Sequence, residues 1–344
     1  MSGKQAAIRI IYQLRNAGFE ALLAGGCVRD MLLGKTPKDY DVATDARPEE
    51  ICRIFRRTIR VGAKFGVIIV LMNGHQIQVA AFRADTGYSD GRRPDKVSFT
   101  SAENDALRRD FTINGMFFDP VANKVLDFVG GQNDLKNKII RTIGNADERF
   151  SEDYLRMLRA VRFAAQLDFS IEKNTLEAIR RHHHLIVKIS GERIAMELES
   201  LMAAANRMKG LKLFAETGLA GKIFPVLKEQ IDFGMKVFQY LPGNITFELA
   251  VAAIFSGCET KAAMENIAVL KLSGSKMKYI RSLLEKRGYL TGELSLAELK
   301  MIVAEPYYED LYLLQEAMLR AQRQKISKLA ELNKRAKALA GMDL

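Results

Sequence analysis

The feature that most constrains the fold is a change in sequence texture near residue 146 of the 344 residues. Before it, short apolar runs alternate with turn residues: residues 19–24 end at Gly25-Gly26, and Asn73-Gly74 separates two runs rich in Val and Ile. After it, apolar residues recur at helical spacing and are interrupted by prolines and glycines. The pattern predicts an α+β fold, in which a small mixed-sheet head is followed by an all-helical remainder.

Local patterns predict individual elements within this outline. Residues 39–43 and 112–118 are expected to be strands, and residues 148–167 are expected to form one helix. Residues 84–105 contain glycines, a proline and many charges, which predicts a long mobile loop. A helix is expected at residues 47–57, and a strand is expected at residues 124–128.

The charge balance favours a polyanionic partner. Lys and Arg number 52 and Asp and Glu 41, so the net charge is +11. Basic residues are frequent in the last stretch, 311–339, which is expected either to bind RNA phosphates or to complete the helical core. Only four histidines occur, and chemistry based on several histidine ligands is therefore poorly supported.

The sequence contains no segment that suggests a membrane or an oxidising compartment. No apolar run approaches the roughly 20 residues that a transmembrane helix needs, and the first residues lack the apolar block of a signal peptide. Three scattered cysteines do not make a disulfide framework. The expected location is therefore the cytoplasm, without membrane association.

The first constellation of candidate functional residues combines a glycine turn with two carboxylates. Gly25 and Gly26 follow a strand and open a helix, so the backbone can approach a phosphate closely, and Arg29 lies in the first helical turn. Asp39 and Asp41 are two residues apart on the expected strand, so both carboxylates should project to one face. Such a pair repels unless a cation lies between the carboxylates, and oxygen ligands suit Mg²⁺.

A second constellation is the sequence RRDFTIN at residues 108–114. Arg109 is a candidate for neutralising phosphate charge, whereas Asp110 and Asn114 are candidates for holding the sugar or neighbouring loops. The alternative is a basic cap on a strand whose residues pair only within the head.

A third constellation lies on the expected helix 148–167. Asp153, Arg156, Arg159 and Arg162 are spaced by three residues, so each neighbours the next along a helix. An Asp accepts and an Arg donates hydrogen bonds, so the first two can imitate the edge of a base, with the other two arginines nearer the phosphates. The alternative is a solvated helix face on which Glu152 and Arg156 form an i,i+4 ion pair.

Taken together, GGCVRD, DYD and RRDFTIN resemble the polymerase beta-type nucleotidyltransferase superfamily. The closest resemblance is to its class II branch, the tRNA nucleotidyltransferases and bacterial poly(A) polymerases. Members have a head that carries the metal-bearing sheet, a neck that reads the nucleotide, and a body and tail that hold RNA. The resemblance implies a head at residues 1–145, a neck at 146–205, and a body with a short tail at 206–344.

The resemblance also implies a reaction. The 3′-hydroxyl of the acceptor end of tRNA would attack the α-phosphorus of CTP or ATP, with Mg²⁺ held by Asp39 and Asp41. Gly25, Gly26, Arg29 and Arg109 would bind the triphosphate. In the family, the pair that matches Asp153 and Arg156 selects C or A without a nucleic-acid template.

Three functions remain open from the sequence. The loop 84–105, which contains Tyr88, Arg92 and Arg93, favours an enzyme that can add the terminal A, either as a full CCA-adding enzyme or as an A-adding one. A poly(A) polymerase uses the same motifs. A non-catalytic RNA-binding module would suit the charge, but it gives no reason for the aspartates at 39, 41 and 153.

Overall fold

The computed structural model describes residues 1–87 and 96–340. The first elements, in chain order, are α1 Gly3–Asn16, β1 Ala21–Ala24, α2 Gly26–Leu32, β2 Asp41–Thr44, α3 Pro48–Ile54, β3 Thr58–Gly62, β4 Val67–Met72, β5 His75–Ala81, β6 Arg83–Thr86, β7 Lys96–Phe99, α4 Ala102–Leu107, β8 Phe117–Asp119, β9 Lys124–Leu126, α5 Gly131–Asn137, β10 Ile139–Ile140, α6 Ala146–Glu152, α7 Leu155–Leu167, β11 Ser170–Ile171 and α8 Lys173–His182.

The later elements are helical. They are α9 Gly191–Met202, α10 Arg207–Glu216, α11 Leu219–Ile223, α12 Leu227–Gln239, α13 Phe247–Ile254, α14 Thr260–Ile267, α15 Gly274–Lys286, α16 Leu296–Val303, α17 Tyr308–Ala321 and α18 Ser327–Ala340. Short 3₁₀ turns occupy Ala63–Phe65, Thr112–Asn114, His183–Lys188, Ala268–Leu270 and Tyr289–Thr291. The α+β fold class is thus confirmed, with the two-residue strand β11 as a minor exception to the helical remainder.

The chain divides into two compact units. The first comprises Met1–Arg156 and Phe169–Ile179, and the second comprises Met157–Asp168 and Arg180–Leu344. The three-part division at residues 145 and 205 stays a prediction. Within the described residues, no helix is both long and apolar enough to cross a membrane.

The first unit contains a mixed sheet with the strand order β3-β4-β5-β2-β1-β8-β9. Neighbouring strands are antiparallel except for β2 and β5, which are parallel. Buried apolar side chains of β1, β2 and β8 pack beside Phe82, whose ring lies edge-on to that of Phe117 with centroids 5.8 Å apart. This core fixes the ends of the central strands, where the candidate site residues lie.

The register of the central strands brings separate motifs to one edge of the sheet. Ala24, the last residue of β1, lies opposite Asp41 on one side and Phe117 on the other. The glycine turn therefore lies beside the start of β2 and the start of β8. Sequence positions 25, 41 and 116 become neighbours because one strand pairs with two others.

Four local expectations are corrected. The strand expected at 39–43 begins only at Asp41, because β1 turns away after Ala24 and leaves Asp39 without a partner strand. The strand expected at 112–118 begins as a 3₁₀ turn and becomes β8 only at Phe117. The helix expected at 148–167 is interrupted between α6 and α7.

The fourth correction concerns the loop expected at 84–105. Its first residues pair as β6 with the antiparallel strand β7 at Lys96–Phe99, and its last residues belong to α4. Tyr88, Arg92 and Arg93 lie outside the described residues.

The second unit is built from helices that pack closely. At Gly234 in α12, a Cβ would lie 2.0 Å from the carbonyl oxygen of Ile254 in α13, so only glycine permits this approach of the two helices. The basic stretch 311–339 forms α17 and α18, in which Leu311, Leu314 and Leu329 are buried. This burial favours the alternative that the stretch completes the core.

Candidate active site

Both the backbone dihedral angle and the space available favour glycine in the turn after β1. Gly25 has φ 72°, which side chains disfavour, and its N–H donates to the carbonyl oxygen of Met116 at 3.1 Å. A Cβ on Gly25 would lie 2.9 Å from Nη1 of Arg109. Gly26 then begins α2. The turn therefore lets the Arg109 guanidinium approach the backbone at the end of β1.

Two carboxylates lie next to this turn. Asp41 opens β2 and is half-buried, whereas Asp39 precedes the strand and is exposed. Burial raises the pKa of Asp41, the positive charge of Arg109 opposes that rise, and the negative charge of Asp39 adds to it. The structure therefore brings Asp39 and Asp41 into electrostatic contact, although not on one strand.

The pair has the chemistry of a divalent-cation site. Negative charge on Asp41 is disfavoured by burial and by Asp39, and a bound cation would relieve both effects. Carboxylate oxygens are the ligands that Mg²⁺ prefers. Within residues 1–87 and 96–340, no group of three or more His, Cys, Asp or Glu side chains is arranged to hold a metal ion.

Arg108 and Arg109 share one buried carboxylate, that of Asp105 in α4. Arg109 donates to Oδ2 of Asp105 through Nη2 at 2.9 Å, and Arg108 donates to Oδ1 through Nη2 at 2.6 Å. Asp105 is only 1% exposed, yet the charges of both arginines outweigh the effect of burial and lower its pKa. Asp105 therefore orients Arg109, whose guanidinium also lies over the Phe117 ring at 4.8 Å.

Asp110 and Asn114 hold Arg29 rather than projecting independently. Oδ1 of Asp110 accepts from the N–H of Phe111 at 2.8 Å and from Nδ2 of Asn114 at 3.1 Å. Oδ1 of Asn114 in turn accepts from Nη1 of Arg29 at 2.7 Å. Arg29 also donates through Nε to Asp30 at 2.8 Å. The network joins the RRDFTIN motif to α2, and thus Arg29 to Arg109.

Asp153 and Arg156 lie at the break between α6 and α7. Asp153 has an extended backbone, and its Oδ1 accepts from the N–H of Leu155 at 3.1 Å. Arg156 forms an ion pair with Glu152 and donates to the carbonyl oxygen of Arg149 at 2.9 Å. The ion pair expected under the alternative interpretation is therefore present, and Asp153 does not continue one helical face.

Arg159 and Arg162 belong to the second unit and share Glu197 of α9. Nε of Arg162 lies 2.5 Å from one carboxylate oxygen of Glu197, and Nη1 of Arg159 lies 3.6 Å from the other. Arg162 also stacks over the Phe163 ring at 4.0 Å. Both arginines are thus oriented by a buried acid.

Sequence reasoning missed two of the acids that hold these arginines, Asp105 and Glu197, whereas the pairing of Glu152 with Arg156 was expected under the alternative interpretation. Asp105 carried a signal, because it precedes Arg108 and Arg109 by three and four residues, which is the spacing of neighbours on a helix. Glu197 is 35 residues from Arg162, and no local spacing could indicate that contact.

Comparisons with protein families match two parts of the chain. Residues 21–141 match the family described as Poly A polymerase head domain. Residues 168–231 match the family described as Probable RNA and SrmB-binding site of polymerase A.

Curated relatives are named CCA-adding enzymes. The enzyme of Streptococcus mutans is 41% identical over 284 residues, which cover 81% of this chain and 70% of that enzyme. The enzyme of Enterococcus faecalis is 47% identical over 228 residues, which cover 66% of this chain and 55% of that enzyme. The chain thus spans more than two thirds of the first relative and little more than half of the second.

Solved structures share the fold. The Bacillus stearothermophilus CCA-adding enzyme in complex with CTP superimposes with a TM-score of 0.82 at 29% identity, covering 98% of this chain and 83% of that one. The Thermotoga maritima CCA-adding enzyme complexed with tRNA has a TM-score of 0.70 at 21% identity, covering 96% of this chain and 80% of that one. At 21% identity, the comparison with the Thermotoga maritima enzyme shows a shared fold alone.

Proposed function

This chain belongs to the family of CCA-adding enzymes, and we propose that it adds CMP, AMP or both to the 3′ end of tRNA without a template. The observation that carries the proposal is the edge of the sheet where the glycine turn, the pair Asp39 and Asp41, and the anchored Arg109 meet. This arrangement combines a backbone turn for phosphates, acidic ligands for a cation and an oriented guanidinium.

The reaction is a nucleotidyl transfer. The RNA 3′-hydroxyl attacks the α-phosphorus of the nucleoside triphosphate, a new phosphodiester bond forms, and pyrophosphate leaves. Asp39 and Asp41 would hold Mg²⁺, which, when bound, lowers the pKa of the attacking hydroxyl and neutralises triphosphate charge. Arg29 and Arg109, fixed by Asn114 and Asp105, orient the triphosphate against the turn at Gly25-Gly26.

Nucleotide choice is proposed to depend on Asp153 and Arg156. Cytosine and adenine present an amine donor beside an acceptor, which suits a carboxylate beside a guanidinium. Arg156 has five donors, and its bonds to Glu152 and to the carbonyl oxygen of Arg149 leave capacity for a base while they limit its rotation. Arg159 and Arg162 are proposed to contribute to phosphate binding.

The other parts of the chain are assigned by the same proposal. Residues 1–145 form the catalytic head, 146–205 the neck, and 206–344 the body and short tail that bind the acceptor end of tRNA. The net charge of +11 supports phosphate contacts. The three cysteines are free thiols, which suits the cytoplasm, where tRNA is processed.

A poly(A) polymerase is the second candidate, because residues 21–141 match a family described by that activity. The experiment that separates the candidates supplies labelled CTP and ATP, singly and together, with tRNA that lacks none, two or three of its terminal nucleotides. A CCA-adding enzyme completes each RNA to the same end and stops. A poly(A) polymerase extends all three with ATP alone.

The same assay tests catalysis itself. The Asp41→Asn variant should bind tRNA and add no nucleotide. If the wild type binds tRNA and adds nothing with Mg²⁺ present, the chain is an RNA-binding module and the proposed transfer is wrong.

A further inference from the structure

A pocket of about 400 Å³ in the second unit has none of the candidate metal-binding or nucleotide-binding residues in its lining. It is lined by the residue that follows α15, by the C-terminal half of α17 and by the segment that opens α18. The volume falls within the range of small-molecule sites in proteins. Its charged and polar lining includes Arg287, Thr291, Gln315, Gln322, Lys325 and Lys328.

The pocket is positively charged. Arg287, Lys325 and Lys328 line it, and neither Asp nor Glu is among its described lining residues. Within the part of the chain that the structure describes, none of the three cations has an acidic partner within 4.0 Å. Glu259, which acts on Arg287 electrostatically, already accepts from the N–H groups of Lys261 and Ala262.

Helix α18 adds to this field. The helix has 14 residues and begins at Ser327, so its N-terminal end lies at the segment where Lys325 and Lys328 line the pocket. A helix N-terminus carries partial positive charge and favours anions. Charge and dipole together select an anionic ligand.

Two buried polar atoms in the pocket wall lack hydrogen-bond partners within the described residues. They are Nη1 of Arg287, which is a donor, and Oε1 of Gln315, which is an acceptor. Gln315 is only 4% exposed. A buried polar atom without a partner costs free energy, so a position that keeps one calls for a reason such as a ligand.

We propose that this pocket binds a ribose phosphate, with the phosphate on Arg287, Lys325 and Lys328 and a sugar hydroxyl donating to Oε1 of Gln315. A phosphate accepts from all three cations, whereas the unpartnered glutamine oxygen needs a donor that a bare phosphate dianion lacks. A ribose hydroxyl supplies it when the whole Gln315 side chain turns toward the cavity, because Oε1 is buried in the pocket wall. Gln322 and Thr291 line the remaining wall. The group can come from a free nucleotide or from an RNA strand.

The first test measures binding of ribose 5-phosphate and 2-deoxyribose 5-phosphate to the full chain by ligand-observed NMR titration. Ribose 5-phosphate should bind more tightly, and Lys328→Gln should weaken its binding about tenfold, as expected for loss of a charged hydrogen bond. Lys334→Gln is the matched control, because it removes the same charge from an exposed position of the same helix. The Asp41→Asn variant should bind like the wild type, which separates this pocket from the triphosphate site.

The second test concerns Gln315. Gln315→Leu should abolish the preference for ribose over deoxyribose, and its melting temperature should equal or exceed that of the wild type, because an unpartnered polar atom has been removed. A merely structural glutamine would give a lower melting temperature and an unchanged preference.

The third test identifies the source of the group with an acceptor-stem hairpin RNA. If Lys328→Gln weakens binding of the hairpin but neither sugar phosphate binds, the ligand is a nucleotide of the RNA strand. If the sugar phosphates bind and hairpin binding is unchanged, the ligand is a free nucleotide. If Lys328→Gln and Lys334→Gln have equal effects on every probe, or if Lys328→Gln binds both the sugar phosphates and the hairpin as tightly as the wild type does, the proposal is wrong.

Discussion

Replacing Asp105 by Asn should uncouple Arg109 from its anchor while keeping the shape of the side chain. The buried carboxylate accepts four hydrogen bonds from two guanidinium groups, at 2.6, 2.8, 2.9 and 3.2 Å. Removing one member of a buried ion pair costs about 3–5 kcal/mol. The side chains of Arg108 and Arg109 are 21% and 18% exposed, and water can partly solvate them, so we expect a loss of about 2–3 kcal/mol in the free energy of unfolding.

The loss should depend on pH with a definite sign. The pKa of Asp105 is lowered in the folded protein, so the unfolded state takes up a proton first as the pH falls. The stabilisation by this carboxylate is complete above the unfolded pKa of about 3.9 and is lost as the pH falls through the folded pKa. Urea denaturation should therefore show a smaller difference between wild type and Asp105→Asn at pH 3 than at pH 7.

The kinetic consequence distinguishes positioning from stability. With Arg109 no longer oriented, we expect KM for CTP and ATP to rise about tenfold, with a smaller change in kcat. Asp119→Asn is the matched control, because Asp119 pairs with Arg15 at 2.9 Å in the same unit and is not among the candidate site residues. The control should lose stability without a change in KM. Equal changes in KM for the two variants would refute the positioning role of Asp105.

Three further predictions follow from the site. Asp41→Asn should abolish nucleotide addition, measured with labelled CTP, and should be at least as stable as the wild type, because burial and Asp39 disfavour the native charge; residual activity within about tenfold would contradict its role as a metal ligand. Gly25→Ala places a Cβ 2.9 Å from Arg109 at a positive φ, so triphosphate affinity should fall and stability should drop by about 1–2 kcal/mol in calorimetry. Asp153→Asn keeps an oxygen for the helix cap but adds a donor, so incorporation of UTP and GTP should rise relative to CTP and ATP; an equal slowing of all four would place nucleotide selection elsewhere.

The sequence predicted the fold class and pointed to the candidate residues at the sheet edge because both depend on short-range patterns. The apolar run ending at Gly25-Gly26 and the spacing of Asp39 and Asp41 are visible in consecutive residues. The strand register that brings these residues together cannot be read from consecutive residues. Asp39 lies outside the sheet because its partner strand ends at Ala24, which is a fact about pairing between segments rather than about the segment itself.

The break at Asp153 escaped prediction for a related reason. Apolar residues keep their helical period on both sides, in α6 and in α7, and one residue with extended dihedrals does not disturb the count. The sequence did contain a cap signal, since Asp153 is a residue type that favours helix starts. In residues 84–105, the glycines and the proline led to the prediction of a loop, although short strand patterns lie on either side of them. The strands β6 and β7 and the helix α4 were therefore not predicted.

Acidic side chains pair with the motif arginines, and this pairing changes the net charge that the candidate site offers to a ligand. Asp105 pairs with both Arg108 and Arg109, and Arg156 pairs with Glu152, so under the proposed function these guanidinium groups would bring less net positive charge to a triphosphate than their number suggests. They bring directed donors instead, because a guanidinium with five N–H groups can be held by one acid and still bind a phosphate or a base. Anchoring lowers the entropy that binding must overcome. The remaining negative charge of a triphosphate has to be matched by another cation, and the acidic pair Asp39 and Asp41, of which Asp41 interacts electrostatically with Arg109, would provide ligands for one.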